Sequence, residues 1–376
     1  MPAKLIVISA VGLNQGGTLT VAKEFLSAAD KIINCRVVAL VYDKSLYPAY
    51  QRIKLISVRS PKKNWLCRIY FEFVSSYKIS CRIQPCVWFS LHDITPRTTA
   101  CRQFVYCHNA TPLYRAGLKD LFFQPTVFAF SIFYRYLYLL NIGANNTVFV
   151  QQSYIRDYFQ STYSIDNVAV ARPECFSDEV MSEARSDFKL NNENMVRLFY
   201  PTLPRTFKNI EVLIKAAKVL HQRGVRRFEI RITLSATDSL YARYLAFCAR
   251  NIEGICFIGR LSHKAVFDEY RQSDALVFPS KLETWGLPLT EAKSMGLAVL
   301  AADLPYARET LGVYDRVNFF DPDDPYQLAD HIEALASGKG FEGSDFSMPA
   351  GVPVLNGWDE LVSCITSQDN PPETTK

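Results

Sequence analysis

The sequence predicts an α/β protein built from two doubly wound domains. Short apolar segments that end in polar residues alternate with longer amphipathic segments, as in a parallel sheet covered by helices. This alternation occurs in two successive sets along the chain. The chain of 376 residues is also longer than a single hydrophobic core usually supports.

The first predicted domain covers residues 1–165. Its first strand, KLIVISAVG, is joined to its first helix by a turn that contains Gly16 and Gly17. Its further strands are short apolar segments with polar ends: CRVVALVYD, CVWFSLHD, QFVYCHN and NTVFVQQS. The most hydrophobic run, residues 127–143, contains Arg135 and is too short for a membrane span, so we expect a core helix with an aromatic face.

The second predicted domain covers residues 166–354. Its strands are VRLFYPT, FEIRITLSA, GICFIGR, DALVFPS and GLAVLAAD. A helix with apolar residues at 210, 213, 214, 217 and 220 follows the first of these strands and stops at Gly224. A last helix, around residues 355–368, is expected to pack back on the first domain. Because ligands bind beyond the carboxyl ends of parallel strands, we expect the two domains to face a central cleft.

The charge of the chain is divided unevenly between its halves. Residues 1–165 carry 19 Lys and Arg against 7 Asp and Glu, a net charge of +12, whereas residues 166–376 carry 23 against 30, a net charge of −7. Lys62, Lys63 and Arg68 lie around an aromatic stretch, which is typical of a membrane interface. No nucleic-acid-binding motif appears. We therefore expect an anionic membrane surface as a partner and no nucleic acid; drift in surface composition is the simpler alternative.

The amino terminus and the cysteines favour a cytoplasmic protein. The chain opens directly on an apolar strand without a cleavable signal pattern. Its ten cysteines match no metal or redox spacing and are interpreted as reduced thiols. With the charge split, this predicts a cytoplasmic protein that is peripheral at the inner face of the cytoplasmic membrane.

No metal or cofactor is expected. The turn Gly12-x3-Gly16-Gly17 departs from the Gly-x-Gly-x-x-Gly fingerprint, and no acidic residue follows at the distance needed to bind a ribose, so we expect no nicotinamide cofactor. The Asp-x-Asp within residues 321–324 follows the predicted sheet in a proline-containing turn. We interpret it as a helix cap rather than a metal site.

The segment FPSKLETWGLPLTEA, residues 278–292, carries the strongest functional signal. Its loop, residues 280–287, follows a strand and precedes a helix with Pro288 at its start, so backbone N–H groups and the positive helix end form an anion site. Gly286 allows the backbone to approach a ligand closely. Glu283 and Glu291, the latter in the predicted first helical turn, are then suited to accept hydrogen bonds from sugar hydroxyl groups on either side of a phosphate. A first-turn glutamate that favours the helix dipole is the alternative for Glu291 alone.

This segment resembles a known family. Glu-x7-Glu in the form ETWGLPLTE, preceded by FPS and followed by AKSMGLAV, resembles the signature of the retaining GT-B glycosyltransferases usually numbered family 4. Other segments resemble that family in the same order, over most of residues 1–335: NQGGTLTVAKEFL, SLHDITPR, FVYCHNATPLYR, FVQQSYIRDYF and YPTLPRTFKNIEVLIKAAKVL. The resemblance implies a GT-B fold of two Rossmann-like domains, with a nucleotide diphosphate sugar as the donor and no cofactor.

The resemblance also implies roles for four charged residues. Arg205 and Lys208 match the basic pair that binds the donor diphosphate, and both follow a predicted strand end, where two cations neutralise a leaving nucleoside diphosphate. Pro204 stands where the family usually has a glycine. Glu291 matches the glutamate that binds ribose hydroxyls, and Glu283 the one near the donor sugar.

His108 matches a histidine that faces the donor sugar from the other domain. The predicted catalytic residues are therefore His108, Glu283, Arg205 and Lys208. The other predicted donor-side residues are Gly16, Gly17, Gly259, Arg260, Thr284, Trp285, Gly286, Leu287 and Glu291. The predicted acceptor-side residues are His92, Asp93 and Asn109.

The prediction is a hexosyltransferase that retains anomeric configuration and acts on a lipid-linked saccharide in surface polysaccharide synthesis, such as O-antigen, capsule or lipopolysaccharide. A nucleotide-sugar epimerase on the same fold is the alternative enzyme. A non-catalytic GT-B subunit that binds glycan is the alternative without activity. The residues leave uridine, guanosine and deoxythymidine donors open, and they specify neither the linkage nor the oligomeric state.

Overall fold

The computed structural model describes residues 4–173, 195–349 and 351–367. The chain divides into two compact units. Unit 1 comprises Met1–Pro112, Phe133–Glu174 and Pro349–Lys376, and unit 2 comprises Leu113–Ile132 and Cys175–Met348.

The strands of the described residues are, in chain order, Lys4–Ala10 (β1), Cys35–Val41 (β2), Ile53–Ser57 (β3), Val87–Ser90 (β4), Arg102–Cys107 (β5), Thr147–Val150 (β6), Val168–Arg172 (β7), Val196–Tyr200 (β8), Phe228–Ile232 (β9), Ile255–Phe257 (β10), Ala275–Phe278 (β11), Ala298–Ala302 (β12), Val313–Tyr314 (β13), Val317–Phe320 (β14), Ser344–Asp345 (β15) and Val354–Asn356 (β16).

The α-helices of the same residues are Gly16–Ala29, Trp65–Tyr70, Ser76–Ile83, Leu118–Phe123, Pro125–Leu139, Ser153–Tyr163, Ile210–Gln222, Leu240–Ala249, His263–Gln272, Leu287–Ser294, Pro305–Leu311, Pro325–Ala336 and Gly357–Thr366. A π-helical turn, Phe71–Ser75, joins the second and third of these helices. Short 3₁₀ turns occur at Lys44–Leu46, Ser60–Lys62, Thr111–Leu113, Ile142–Ala144 and Thr206–Lys208.

Unit 1 is built on an eight-stranded sheet in the order β16-β7-β6-β5-β4-β1-β2-β3. Every neighbouring pair in it is parallel. The chain proceeds outward from β1 in both directions, so the strand order reverses between β1 and β4. In doubly wound sheets this reversal opens a crevice at the carboxyl ends of the two strands, where ligands bind.

Unit 2 contains a six-stranded parallel sheet in the order β10-β9-β8-β11-β12-β14, and β13 and β15 form a separate antiparallel pair. The strand order reverses between β8 and β11. β11 and β12 are buried along their whole length, as expected for strands covered by helices on both faces. The predicted α/β class with two doubly wound sheets is confirmed.

The division between the units differs from the predicted boundary at residue 165. β7, at Val168–Arg172, lies beyond that boundary but pairs with β6 and β16 in the first sheet. The segment Leu113–Ile132, predicted within the first domain, belongs to unit 2. The boundary was predicted from the composition of the sequence, which does not show which strands pair. Strand pairing decides to which sheet β7 belongs.

The last helix, Gly357–Thr366, belongs to unit 1. Trp358 is 1% exposed, and its ring packs edge-on against Phe25 at a centroid distance of 5.8 Å. Leu361 and Ile365 follow it into the same core. β16 and this helix thus return the carboxyl-terminal part of the chain to the first sheet.

The aromatic run predicted at residues 127–143 forms the helix Pro125–Leu139. Tyr134 and Tyr138 are buried, whereas Phe133 and Tyr136 are 62% and 52% exposed. The helix therefore packs one aromatic face into the core and leaves another exposed. Over the described ranges, no helix combines the length and the apolar character needed to cross a bilayer.

Candidate active site

The loop after β8 carries Arg205 and Lys208. It is anchored at its far end by Asn209, a residue with left-handed backbone (φ 55°). The Asn209 amide donates to the carbonyl of Pro279 at 3.2 Å and to that of Pro322 at 2.7 Å. The Tyr200 hydroxyl donates to the carbonyl of Lys208 at 2.9 Å. These bonds fix the loop at the carboxyl end of the sheet.

Lys208 is paired with Glu283, which follows β11. Its Nζ forms an ion pair with Glu283 Oε1, and the two side chains are 18% and 14% exposed. The N–H of Lys281 also donates to the carbonyl of Phe207 at 2.7 Å, which joins the two loops through the backbone. Because the loops follow the neighbouring strands β8 and β11, the ion pair lies at the reversal point of the second sheet, where ligands bind in this class of fold.

Trp285 anchors the loop between β11 and the helix Leu287–Ser294. Its ring is 8% exposed, and its indole N–H donates to the Thr290 hydroxyl at 3.0 Å. Its carbonyl accepts a hydrogen bond from the Thr310 hydroxyl. The buried tryptophan therefore fixes the position of the loop through one side-chain and one backbone hydrogen bond. Thr284, next to it, is partly exposed.

Gly286 caps the start of this helix with φ 86°, a left-handed conformation that favours glycine. A Cβ at this position would also lie 3.2 Å from Leu289 Cδ1. Within the described residues, the N–H groups of Gly286 and Leu287 donate to no protein acceptor. Two backbone donors at a helix N-terminus suit an anionic ligand.

Glu291 is the fifth residue of the helix Leu287–Ser294, so it lies past the first turn in which it was predicted. The helix-dipole interpretation of Glu291 therefore loses its basis, since that effect decays within the first turn. The Tyr270 hydroxyl donates to Glu291 Oε2 at 2.6 Å. Burial raises the pKa of the Glu291 carboxyl, and the Tyr270 hydrogen bond opposes that rise.

Arg205 and Arg260 line a cavity of about 320 Å³ in unit 2. Arg260 Nε donates to Asp238 Oδ1 at 3.2 Å. Gly259 turns the preceding backbone with φ 78°, and its N–H donates to the carbonyl of Leu234 at 2.9 Å. The other lining residues are Phe123, Gln124, Pro125, Thr126, Leu203, Pro204, Asp238 and Ser239.

In unit 1, His92 lies at the β1–β4 reversal point and is 2% exposed. Its Nδ1 lies 2.7 Å from Arg68 Nη2, and its Nε2 lies 2.8 Å from Ser9 Oγ. Because arginine only donates, Nδ1 accepts and the Nε2–H donates to the serine. Burial and the Arg68 charge hold the pKa of His92 well below its usual range. Both ring nitrogens are thus engaged by the protein, and the imidazole is neutral.

Arg68 was expected on a membrane-facing surface, but the structure contradicts this. Its side chain is 13% exposed, and its Nε lies 2.7 Å from the fully buried Glu72 carboxylate. Burial raises the pKa of Glu72 to about 7, against the lowering effect of Arg68. A Cβ at Gly12 would lie 2.7 Å from Arg68 Nη1, so this glycine makes room for the guanidinium. The i, i+4 spacing of Arg68 and Glu72 was the one sequence signal of this pair.

Asp93 organises the loop around His108. Its backbone is left-handed (φ 44°), and its Oδ1 accepts the N–H groups of His108 and Asn109 at 2.7 and 3.0 Å. The hydroxyls of Tyr134 and Tyr138 donate to the same carboxylate at 3.0 and 3.1 Å. The hydrogen bonds to Asp93 therefore stabilise the conformation of the loop that carries His108 and Asn109.

His108 Nε2 donates to the carbonyl of Leu91 at 3.0 Å. Burial lowers the pKa of His108, so its ring is neutral at neutral pH. In the same unit, the helix Gly16–Ala29 begins at Gly16. A Cβ placed on Gly17 would have no neighbouring atom within 4 Å, so the space beside this glycine is open. His108, Gly16 and Gly17 belong to unit 1, whereas Lys208 and Glu283 belong to unit 2.

The acidic run at residues 321–324 is a helix cap, as predicted. Asp324 accepts the N–H groups of Tyr326 and Gln327 at the start of the helix Pro325–Ala336. Asp323 pairs with Lys281. In the part of the chain that the structure describes, no cluster of three or more acidic, histidine or cysteine side chains could hold a metal ion.

Comparison with known proteins links these residues to one family. The family model described as "Glycosyl transferases group 1" matches residues 180–343, a range that contains Arg205, Lys208, Glu283 and Glu291. The O-antigen chain mannosyltransferase RfbU of Salmonella typhimurium is 24% identical over 339 residues, which are 85% of this chain and 87% of that protein.

Solved glycosyltransferase structures share the fold. A glycosyltransferase from Rickettsia africae has a TM-score of 0.62 and 16% identity, covering 90% of this chain and 89% of its own. The lipopolysaccharide outer core galactosyltransferase WaaB has a TM-score of 0.63 and 14% identity, covering 89% and 90%. The sucrose-phosphate synthase of Thermosynechococcus elongatus has a TM-score of 0.63 and 13% identity with the same coverage. The chain is therefore a glycosyltransferase with the GT-B fold, and its residues 180–343 match the group 1 glycosyl transferases.

Proposed function

We propose that this glycosyltransferase moves a hexose, with retention of anomeric configuration, from a nucleoside diphosphate sugar to a lipid-linked saccharide. The observation that carries the proposal is the Lys208–Glu283 ion pair at the β8–β11 reversal point, with Arg205 on the same loop. Cations bind the diphosphate, and carboxylates accept sugar hydroxyls. The similarity to a protein named as an O-antigen mannosyltransferase supports a role in surface polysaccharide synthesis.

The charges account for leaving-group stabilisation. Departure of the nucleoside diphosphate concentrates negative charge on its terminal phosphate, and Arg205 and Lys208 stabilise that charge in the transition state. In a front-face displacement this phosphate accepts the proton of the acceptor hydroxyl, so retention needs no protein nucleophile. Glu283 serves as an acceptor for donor-sugar hydroxyls, and Glu291 as an acceptor for ribose hydroxyls.

The proposed role of His108 is to hydrogen-bond the donor sugar. Its neutral ring, with Nε2–H committed to Leu91, suits a hydrogen-bonding role rather than a charge-stabilising one. His92, held by Ser9 and Arg68, and Asp93, which supports Asn109, shape the acceptor side through the loops that they fix.

We further propose that the protein acts at the cytoplasmic face of the membrane. The helix Trp65–Tyr70 leaves Trp65, Leu66 and Tyr70 exposed by 43%, 80% and 55%. Lys62 and Lys63 are exposed immediately before it. Exposed aromatic and aliphatic side chains beside lysines suit the interface of an anionic bilayer. Arg68 takes no part in this surface, because it is paired with Glu72.

A panel of nucleoside diphosphates and their sugars tests the proposal. A matching ligand at 100 times its Kd should stabilise the folded state by about 2.7 kcal/mol, which a thermal shift detects. With the matching sugar and a polyprenyl diphosphate saccharide, NMR should show a product with the anomeric configuration of the donor. Interconversion of the nucleotide sugar without an acceptor would identify an epimerase. Glycan binding without any nucleotide response would identify a non-catalytic subunit.

A further inference from the structure

A short helix inserted between β5 and β6 is packed against the loop that carries Arg205 and Lys208. The segment Leu113–Ile132 belongs to unit 2, although the strands on either side of it belong to the first sheet. Its helix, Leu118–Phe123, packs through the ring of Phe123 against Tyr241 and Tyr244, at centroid distances of 5.5 and 5.1 Å. These contacts hold the segment in place independently of its polar contacts.

Asp120 is the first polar contact between this segment and the Arg205 loop. It is 3% exposed and accepts hydrogen bonds from the N–H of Gly117 at 2.7 Å and the hydroxyl of Tyr114 at 3.2 Å. The hydroxyl of Thr206, the residue after Arg205, donates to the same carboxylate. A buried carboxylate needs such donors, and here one of them comes from the loop.

Gln124 is the second polar contact, and it is 7% exposed. Its amide nitrogen donates to the carbonyl of Pro204, the residue before Arg205, at 2.6 Å. Its amide oxygen lies 3.4 Å from both the backbone nitrogen and the hydroxyl of Thr206. The residues on both sides of Arg205 are thus held by the segment, while the arginine side chain itself is exposed.

We propose that Asp120 and Gln124 are positioning residues that hold the loop of Arg205 and Lys208 in the conformation that binds the donor diphosphate. Without these contacts the loop would be free to adopt several backbone conformations, and donor binding would include the cost of selecting one of them. The same segment contributes Phe123, Gln124, Pro125 and Thr126 to the wall of the cavity beside Arg205. This inference rests on the proposed donor site.

Thr206→Val tests the proposal with the smallest change, because it removes the hydroxyl that meets Asp120 and keeps the side-chain shape. Thr206→Ser should restore the hydrogen bond. Lys119→Met is a matched control on the same helix, since it breaks the exposed Lys119–Glu211 ion pair and leaves the loop contacts intact. Binding of UDP, GDP and dTDP to the full-length protein is measured by calorimetry, together with the unfolding temperature.

The expected result is about tenfold weaker binding of the preferred nucleoside diphosphate by Thr206→Val, with recovery in Thr206→Ser and no change in Lys119→Met. A double variant, Thr206→Val with Asp120→Asn, should bind little more weakly than Asp120→Asn alone, since both changes break one contact. In turnover assays the loss should appear mainly in the donor KM.

Two results would overturn the proposal. If the wild type binds a nucleoside diphosphate and Thr206→Val binds it equally, the contact has no role in donor binding, whatever its effect on the unfolding temperature. Loss in Thr206→Val without recovery in Thr206→Ser assigns the effect to packing and also contradicts the proposal. If the wild type binds no nucleoside diphosphate, the proposed donor site itself is wrong.

Discussion

Lys208 and Glu283 form an ion pair that joins the loop after β8 to the loop after β11. Both side chains are largely buried, so each charge depends on the other for compensation. In the proposed donor complex the diphosphate would share the Lys208 ammonium with Glu283 and would gain a second cation from Arg205. The pair thus keeps a cation in a desolvated position before the donor binds, which is where a charge stabilises a leaving group most.

Lys208→Ala and Arg205→Ala should each reduce kcat/KM by about 30- to 1000-fold. This range corresponds to about 2–4 kcal/mol of lost transition-state stabilisation, as expected for removal of one charged contact to a developing diphosphate. Steady-state kinetics with the donor found in the nucleotide panel measures the effect. Lys281→Ala is the control, because its partner Asp323 is 77% exposed. Near-wild-type turnover in both site variants would contradict the donor-site assignment.

Activity should survive chelation. The proposed leaving-group stabilisation relies on Arg205 and Lys208, so removal of divalent ions with EDTA should leave turnover within about twofold of its starting value. Abolition of activity by EDTA, with recovery on addition of Mn²⁺ or Mg²⁺, would show that a metal ion performs this role instead.

Donor binding should weaken as the pH falls, through Glu291. Its ionised form accepts hydroxyl groups, and burial raises its pKa, so this form is lost at a higher pH than in an ordinary glutamate. The Tyr270 hydrogen bond lowers the pKa. Tyr270→Phe should therefore shift the acidic rise of the donor KM to higher pH, and Glu291→Gln should remove it. If Tyr270→Phe leaves the pH dependence of the donor KM unchanged, the Tyr270–Glu291 hydrogen bond has no role in donor binding.

Buried Glu72 should make stability fall as the pH rises. Its pKa is about 7 in the folded chain, against 4.5 for an ordinary glutamate. Between these values the unfolded chain releases a proton that the folded chain retains, so the free energy of unfolding decreases with rising pH and levels off above about pH 7. Glu72→Gln should flatten this dependence in urea titrations. If the free energy of unfolding of Glu72→Gln depends on pH as steeply as that of the wild type, groups other than Glu72 cause the dependence.

Arg68→Gln should destabilise the protein increasingly as the pH rises above about 7, because in that range it leaves the Glu72 carboxyl, whose pKa Arg68 lowers, buried without its cation. The same urea titrations measure this loss. Arg68→Gln combined with Glu72→Gln should recover much of the stability, since no unpaired charge then remains buried. An unchanged midpoint in the single variant would mean that Glu72 is protonated when Arg68 is absent.

Binding to anionic vesicles should depend on Lys62 and Lys63. Replacing both with glutamine should weaken binding to phosphatidylglycerol vesicles by about 30-fold, given about 1 kcal/mol for each basic residue at the surface. Binding should also fall with salt. Lys215→Gln with Lys218→Gln removes the same charge from an exposed helix face in unit 2 and should have little effect. Equal losses in both double variants would make the interaction a response to net charge alone.

Much of the fold could be predicted from the sequence, because local patterns carry it. The apolar segments that end in polar residues predicted β1, β2, β8 and β11, since strands covered on both faces are continuously apolar. The β3 strand was missed. It lies at the edge of the sheet, and exposed residues such as Lys54 interrupt its buried ones, so it lacks a continuous apolar run. The order of the strands within each sheet does not follow from local patterns.

The sequence by itself determined which residues carry the candidate chemistry. The spacing of Glu283, Gly286 and Glu291 after an apolar strand indicated an anion site with two hydroxyl acceptors, because strand, loop and helix are all local features. Arg205 and Lys208 were assigned to the donor by their resemblance to a family motif, and their place after a predicted strand agrees with that assignment. What remained was how these loops meet.

Only the tertiary structure decided the partners of these residues. Lys208 meets Glu283 across 75 positions of sequence, and Thr206 meets Asp120 across 86. Such pairs depend on which strands become neighbours and on where an inserted helix packs, and neither is encoded in local spacing. The same holds for Arg68: a basic residue in a basic stretch is read as a surface charge, until packing buries it against Glu72 and His92. Charge and periodicity are local properties of the chain, whereas burial is a property of the packed whole.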